Sequence, residues 1–412
     1  MRAYERFLKY IKFDTKSDEV SGKTPSSEGQ RVLAEELGEE LKALGFTDVK
    51  VDANAYVTCH VPATAGFEGA PAVGFIAHMD TSPDFSGKDV KVQIIENYDG
   101  GVVALGESGR VLDPAEFEHL STLRGRTLIT TDGTTLLGAD DKAGVAEIMT
   151  VLERLIAENI PHGPLAICFT PDEEIGEGAD HFDAEGFGTV CAYTVDGSAE
   201  GEIEFENFNA YAAKFTVTGK NIHPGDAKNK MINAALVAHE IVSMLPSAET
   251  PAHTEAYEGF YHLCSVTGCA ESAELDFIVR DHDAHMMNAR IATLRHIEKI
   301  LNEKYGKGTV ELTAREQYRN MREVIERHAY TVNIAKEVIS SLGISPISNP
   351  VRGGTDGARI SFMGIPCPNL GTGGYAFHGP FEHVTVEGMD VSVDIIIGII
   401  KAYSALSAHS LT

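Results

Sequence analysis

Leu136-Leu137-Gly138-Ala139-Asp140-Asp141-Lys142-Ala143-Gly144 sets an acidic pair between glycines at the mouth of a helix. A turn-rich approach, Thr131-Asp132-Gly133-Thr134-Thr135, precedes it. Val145, Ile148, Met149, Leu152, Leu155 and Ile156 then recur at helical spacing. Asp140 therefore ends a loop, with its carboxylate aimed at whatever the neighbouring strand ends enclose. By itself, an Asp that caps a helix and is followed by a first-turn Asp is common. The strand ends on either side give this pair its meaning.

Upstream, the apolar run 72–77 delivers His78-Met79-Asp80. Downstream, Leu165–Thr170 is another apolar strand and ends in Pro171-Asp172-Glu173-Glu174. A third, 189–195, ends in Asp196-Gly197-Ser198. Strand, acid-bearing loop, helix and strand in succession predict an α/β domain with a mostly parallel sheet. In such sheets ligands bind outside the carboxyl ends of the strands. His78, Asp80, Glu173, Glu174 and Asp196 all stand there.

Farther out, Tyr4, Phe7, Leu8 and Ile11 mark a short amphipathic helix. Ser27-Glu28-Gly29-Gln30 reads as a capping box before the stripe Leu33, Leu37, Leu41 and Leu44, which Gly45 ends. Strands follow at 49–51 and 56–61, whereas 82–126 is Gly- and charge-rich with no clear order of elements. From about Asn209 the elements run β-α-β-β-α-β, a ferredoxin-like split unit inserted into the first domain. The expected division is a catalytic domain of 1–207 and 318–412 and an inserted lid of 208–317. Residues 349–384 form a Gly/Pro-rich tract, and a helix closes the chain.

A length of 412 residues suits two domains. With 34 Lys and Arg against 61 Asp and Glu, the net charge is 34 − 61 = −27, which disfavours nucleic acid and anionic membranes as partners. The most apolar run, 395–400, is too short to cross a bilayer. Six cysteines show no C-x-x-C spacing, and Cys59, Cys168, Cys191 and Cys264 lie in strand-like runs, so reduced structural thiols are expected. Residues 1–12 are charged and lack a signal-peptide core, and the expected location is cytoplasmic.

His78 and Asp80, two apart on a strand, share a face, so Asp80 can accept the second imidazole N–H and orient His78 toward a metal. Adjacent Glu173 and Glu174 point apart, which suits one ligand and one free base. His378 lies among four glycines in the stretch 371–382, with His383 as a nearby competitor. Two histidines, two aspartates and a glutamate, with a spare carboxylate, are what two divalent ions need: one shared carboxylate, Asp140, and two private ligands each.

These motifs, His78-Met79-Asp80, Gly138-Ala139-Asp140-Asp141-Lys142-Ala143-Gly144, Asp172-Glu173-Glu174, Asp196-Gly197 and His378-Gly379-Pro380-Phe381-Glu382, resemble the co-catalytic di-zinc peptidase family. Gly219-Lys220-Asn221-Ile222-His223-Pro224-Gly225, Arg280-Asp281-His282-Asp283 and Arg352-Gly353-Gly354-Thr355-Asp356-Gly357 narrow the resemblance to its peptidase T branch, over nearly the whole chain. The resemblance implies two zinc ions, with cobalt or manganese able to replace them. His78 and Asp196 would hold one, Glu174 and His378 the other, and Asp140 would bridge them. It implies a cis peptide after Asp140, Asp80 as the orienting group for His78, and His223 on the lid as a ligand of the scissile carbonyl oxygen. It further implies removal of the N-terminal residue from small peptides, chiefly tripeptides with a free N-terminus, by a metal-bridged hydroxide with Glu173 as base.

Arg280, at the end of an apolar lid strand, and Arg352, opening a glycine loop read as part of the metal domain, are candidates to bind the substrate carboxylate. A monomer and a homodimer both remain open. The rival readings are a related di-zinc deacylase or dipeptidase, and a non-catalytic binder, which would have no need of an unligated base.

Overall fold

The computed structural model describes residues 1–407 and divides the chain into two units. The first comprises Met1–Phe205, Glu323–Asn349 and Thr355 onward; the second comprises Glu206–Arg322 and Pro350–Gly354. The insert thus runs past the expected 317/318 boundary, because its last strand, Val310–Tyr318, continues pairing to Tyr318. Arg352 also falls in the second unit rather than in the metal-bearing one where the sequence placed it.

The first unit is built on a seven-stranded sheet. Its order is Asp48–Val51, Val57–Val61, Leu165–Thr170, Val73–His78, Cys191–Gly197, Asn369–Gly371 and Ile203–Glu204. The four strands from Leu165–Thr170 to Asn369–Gly371 are mutually parallel. The outer pairings are antiparallel, so the sheet is mixed and its parallel part is the centre. Every residue of Val73–His78 and of Leu165–Thr170 is buried, which is why both read as unbroken apolar runs rather than alternating ones. On one face Ile76, Ala166 and Cys168 pack with Phe182, Phe187, Ile360 and Cys367. On the other lies the central helix, Ala139–Ala157, with Ala3–Tyr10 and Val386–Ser404 beside it. A side chain at Gly144 would run into the Val195 carbonyl, so this glycine lets the helix lie close on the Asp196 strand.

The expected capping box is not formed. Ser27 stands at the N-cap of Glu28–Ala43 without a side-chain cap, and Gln30 turns instead to Asp172 and Ser26. Stretch 82–126, unordered in the sequence reading, supplies the strand Val92–Ile95 and the turn Glu118–Leu123. Val92–Ile95 joins Leu128–Thr131, His383–Thr385 and Gly374–Tyr375 in a small antiparallel sheet. Tyr98, Leu105, Leu112, Leu120, Leu123 and Leu128 form its core.

The second unit has four antiparallel strands in the order Phe260–Gly268, Ser272–Asp281, Asn209–Thr218 and Val310–Tyr318. Helices Ala234–Ser243 and Ala284–Tyr305 bury its apolar face, giving the ferredoxin-like order. All six cysteines are free; Cys59, Cys168, Cys191 and Cys367 are buried, but Cys264 is exposed, contrary to its apolar sequence setting. Among the described residues no helix is long and apolar enough to cross a membrane.

Candidate metal centre

Asp140 stands before the regular part of the central helix. Its peptide bond to Asp141 is cis, and both residues have non-helical backbone angles (φ −86°, ψ 105° and φ −120°, ψ 30°). The two oxygens of the Asp140 carboxylate have different neighbours. Oδ1 lies 2.9 Å from His78 Nε2, which is also 3.3 Å from Asp196 Oδ1. Oδ2 lies 3.2 Å from His378 Nε2, which is 3.0 Å from Glu174 Oε2. One carboxylate therefore separates two imidazole–carboxylate pairs, and four of these five side chains are at least mostly buried.

Hydrogen-bond chemistry tests whether this set fits a cation. The Asp80 carbonyl, which can only accept, lies 3.1 Å from His78 Nδ1, so Nδ1 carries the proton. Nε2 of the neutral ring then presents a lone pair to two acceptor-only carboxylate oxygens. A cation at that point resolves the conflict. Glu174 Oε1 is buried and has no hydrogen-bond partner, a second acceptor that awaits a positive charge.

Protons take up the charge when no cation is present. Burial lowers the His78 pKa, but Asp196, Asp140 and Asp80 outweigh it and hold it well above 6.5. Hydrogen bonds to Asp140 and Glu174 lift His378 to about 11. Burial pushes Asp196 up to about 6 and Glu174 up to about 8. Asp140 is also penalised by burial, yet His378 and His78 hold it below the usual carboxylate range. The residues present fit divalent ions.

Neighbouring groups fix these side chains. Asp80 orients His78 mainly through its carbonyl, with Oδ1 3.3 Å from Nδ1. Its carboxylate accepts the backbone N–H groups of Glu173 (3.0 Å) and Glu174 (3.1 Å) and the Ser17 hydroxyl. Asp196 donates its N–H to Asn369 Oδ1, and Asn369 donates in turn to Glu204. Asp141 lies close enough to His78 and Asp196 to be counted as a ligand. Its oxygens, however, accept the N–H groups of His78 (3.1 Å) and Gly144 (3.2 Å), so it holds backbone instead.

Glu173 contributes no oxygen to the cluster, and its carboxylate accepts no hydrogen bond from the described residues. Burial pushes its pKa well above the carboxylate range; His78 opposes this, while Asp196, Asp356 and Glu174 add to it. Asp172, to which the sequence reading gave no role of its own, is buried and accepts from Ser26 N–H and Gln30 Nε2. It anchors the turn that carries Glu173 and Glu174. His383, the competitor of His378, is buried against His119, with 2.9 Å between their Nε2 atoms, and takes no part in the cluster.

The remaining candidates lie in the second unit. His223 is exposed, and its Nδ1 accepts the Gly225 N–H at 3.2 Å, which leaves Nε2–H as a donor in the neutral ring. Arg280 donates to the Tyr211 and Val279 carbonyls and covers the Tyr318 ring at 5.4 Å. Arg352 donates to Ala256 O (2.8 Å), Glu258 O (2.9 Å) and Thr254 Oγ1 (2.9 Å), and lies over Phe208 and Phe260. Its guanidinium is taken up in strapping Pro350–Gly354 to this unit.

The profile of Peptidase family M20/M25/M40 matches residues 131–402. Peptidase T of Clostridium perfringens is 53% identical over 404 residues, covering 98% of this chain and 99% of that one. Among solved structures, a tripeptidase from Staphylococcus aureus superposes with a TM-score of 0.77 at 23% identity, over 98% of both chains. A dinuclear metal-binding peptidase of the M20 family from Bacillus subtilis gives 0.66 at 15% identity, over 98% of this chain and 99% of that one. The chain belongs to the peptidase T group of peptidase family M20/M25/M40 and is a peptidase.

Proposed function

We propose that the chain removes the N-terminal residue from tripeptides with two zinc ions, one held by His78 and Asp196, the other by Glu174 and His378, with Asp140 shared. The observation that carries this reading is the pair of Asp140 oxygens, each facing its own imidazole and carboxylate. When bound, the ions supply Lewis acidity that makes water nucleophilic at neutral pH and polarises the scissile carbonyl. Cobalt or manganese could serve in place of zinc, since the donors are all imidazole nitrogen and carboxylate oxygen.

Glu173 takes the proton of the attacking water and returns it to the leaving amine. Burial favours its protonated state, which suits the second of these transfers. The bond from the Asp80 carboxylate to the Glu173 N–H keeps the base in place while its own oxygens stay free. His223, with Nε2–H as donor, stabilises the oxyanion. Arg280 binds the terminal carboxylate and so sets peptide length. Arg352, earlier a candidate for the same task, has both terminal guanidinium nitrogens occupied and is assigned no contact with substrate.

Metal content and hydrolysis of a tripeptide, its N-acetylated form and a dipeptide, each before and after chelation, test the reading. The expected result is two metal ions per chain and chelator-sensitive cleavage of the free tripeptide. Preference for the N-acetylated substrate would overturn it in favour of a deacylase.

A further inference from the structure

The loop that carries His378 also carries Glu382, four residues on and 1% exposed. Its Oε2 accepts the N–H groups of Leu137 (2.7 Å) and Gly138 (2.8 Å), and its Oε1 accepts that of Asp140 (2.9 Å). One side chain thus binds the backbone that leads into Asp140 and belongs to the turn that presents His378. We propose that Glu382 is a positioning residue that sets the spacing between Asp140 and His378, and with it the affinity of the metal position that His378 and Glu174 share with Asp140.

The other ties of the centre follow the same logic and leave this one link to Glu382. Asp141 holds the His78 backbone, and Asp80 holds the Glu173 and Glu174 backbone. Apart from the His378–Asp140 side-chain contact itself, the bonds that Glu382 accepts are what join the His378 loop to the mouth of the central helix among the described residues. Three N–H donors converge on two oxygens, so an acceptor-only group is needed at both. A glutamine there must turn its NH2 toward either Asp140 N–H or the Leu137 and Gly138 N–H groups, and one side of the tie is lost. Supporting groups of this kind typically change metal affinity by about 10- to 100-fold.

The proposal rests on the two-metal reading above, and the test separates them. The full chain is stripped of metal and titrated with Zn2+ by calorimetry, with Tm measured alongside. Glu387→Gln is the control: Glu387 also accepts a backbone N–H, that of Thr127 at 2.8 Å, but ties no ligand-bearing segment. The native chain should take up two ions. Glu382→Gln should take up one with native affinity and the other about 10- to 100-fold more weakly, and Glu387→Gln should match the native chain at both. Native affinity for both ions in Glu382→Gln, whatever its Tm, overturns the proposal, as does equal weakening in Glu387→Gln. If Glu382→Gln does not fold, Glu382→Asp, with the same charge one methylene short, must show the same selective loss. Fewer than two ions on the native chain would instead overturn the two-metal reading.

Discussion

Replacing Glu173 by Gln should separate chemistry from metal binding. Glu173 gives no oxygen to the cluster around Asp140, and its N–H remains bound to Asp80 Oδ1 at 3.0 Å whatever the side chain. Glutamine is close in shape, so the ligands should stay where they are and both metals should remain. What disappears is the proton acceptor, and losing a general acid–base typically costs about 10²- to 10⁴-fold. At 1.36 kcal/mol per decade this corresponds to about 2.7–5.4 kcal/mol on the barrier. Glu174→Gln should behave in the opposite way. Glu174 Oε2 lies 3.0 Å from His378 Nε2 and its Oε1 has no partner, so the change removes an anionic donor from the centre. The assay is kcat and KM on a tripeptide at neutral pH, with metal counted per chain in each variant. Turnover within about tenfold of native in Glu173→Gln would refute its role as base. Loss of metal from Glu173→Gln with retention in Glu174→Gln would show that the two roles are exchanged.

Arg280→Lys should lower kcat/KM on free tripeptides by roughly 10- to 150-fold, since a charged hydrogen bond is worth about 1.5–3 kcal/mol. It should leave metal content intact and affect a tripeptide amide much less; equal native hydrolysis of amide and acid would dispose of the carboxylate ruler. Burial lowers the His383 pKa from 6.5 to about 4. Between those values the unfolded chain binds a proton that the folded chain does not, so stability should fall as pH drops from about 6.5 to about 4 and be unaffected by this group above that window. The contribution is about 3 kcal/mol, and denaturant titrations of the native chain and His383→Gln across this range check it. Mixing inactive His223→Ala with inactive Glu173→Gln should restore activity only if the site is shared between chains of an oligomer. No recovery despite proven subunit exchange would place His223 within its own chain.

The strands that end at His78, at Thr170 just before Glu173 and Glu174, and at Asp196-Gly197 were legible because a doubly covered strand must be continuously apolar and a polar residue at or just past its end stands out. The second unit was legible because its strands alternate: Ser272–Asp281 buries every second residue. Glu382, Asp141 and Asp172 were not, although all three stood inside quoted motifs. Each acts on backbone N–H groups of a distant segment, Glu382 across more than 240 residues, and a bond to backbone leaves no mark in the identity of its partner. Gln30 misled for a related reason: a local capping box and a distant carboxylate compete for the same amide, and Asp172 wins. Arg352 was misplaced because glycines beside an arginine suggest open space for a ligand, whereas here they accompany a strap whose acceptors are carbonyls, invisible to any residue pattern. Antiparallel pairing at the sheet margins was missed because edge strands as short as Ile203–Glu204 carry too few residues to show a period.

In the second unit, Ala210 pairs with Tyr318, so the first and last strands run antiparallel as neighbours. Toward the ends of the unit, Asn207 is hydrogen-bonded to Arg319, Asn320 and Met321, so the two segments that bound the insert run side by side. An insert mounted on such a stem asks little of the protein that receives it: the host sees what amounts to a long hairpin. Most of the unit could be exchanged for a short turn, or for a different domain, without rerouting the strands that bear His78 and Asp196 or the one that leads to Glu174. The strap at Pro350–Gly354 is the exception. A graft that replaced Glu206–Arg322 alone would strand Arg352 without the Thr254, Ala256 and Glu258 carbonyls it was built to meet. Recombination at this locus therefore has to exchange two segments together, and natural shuffling of the insert should be found only where both have changed.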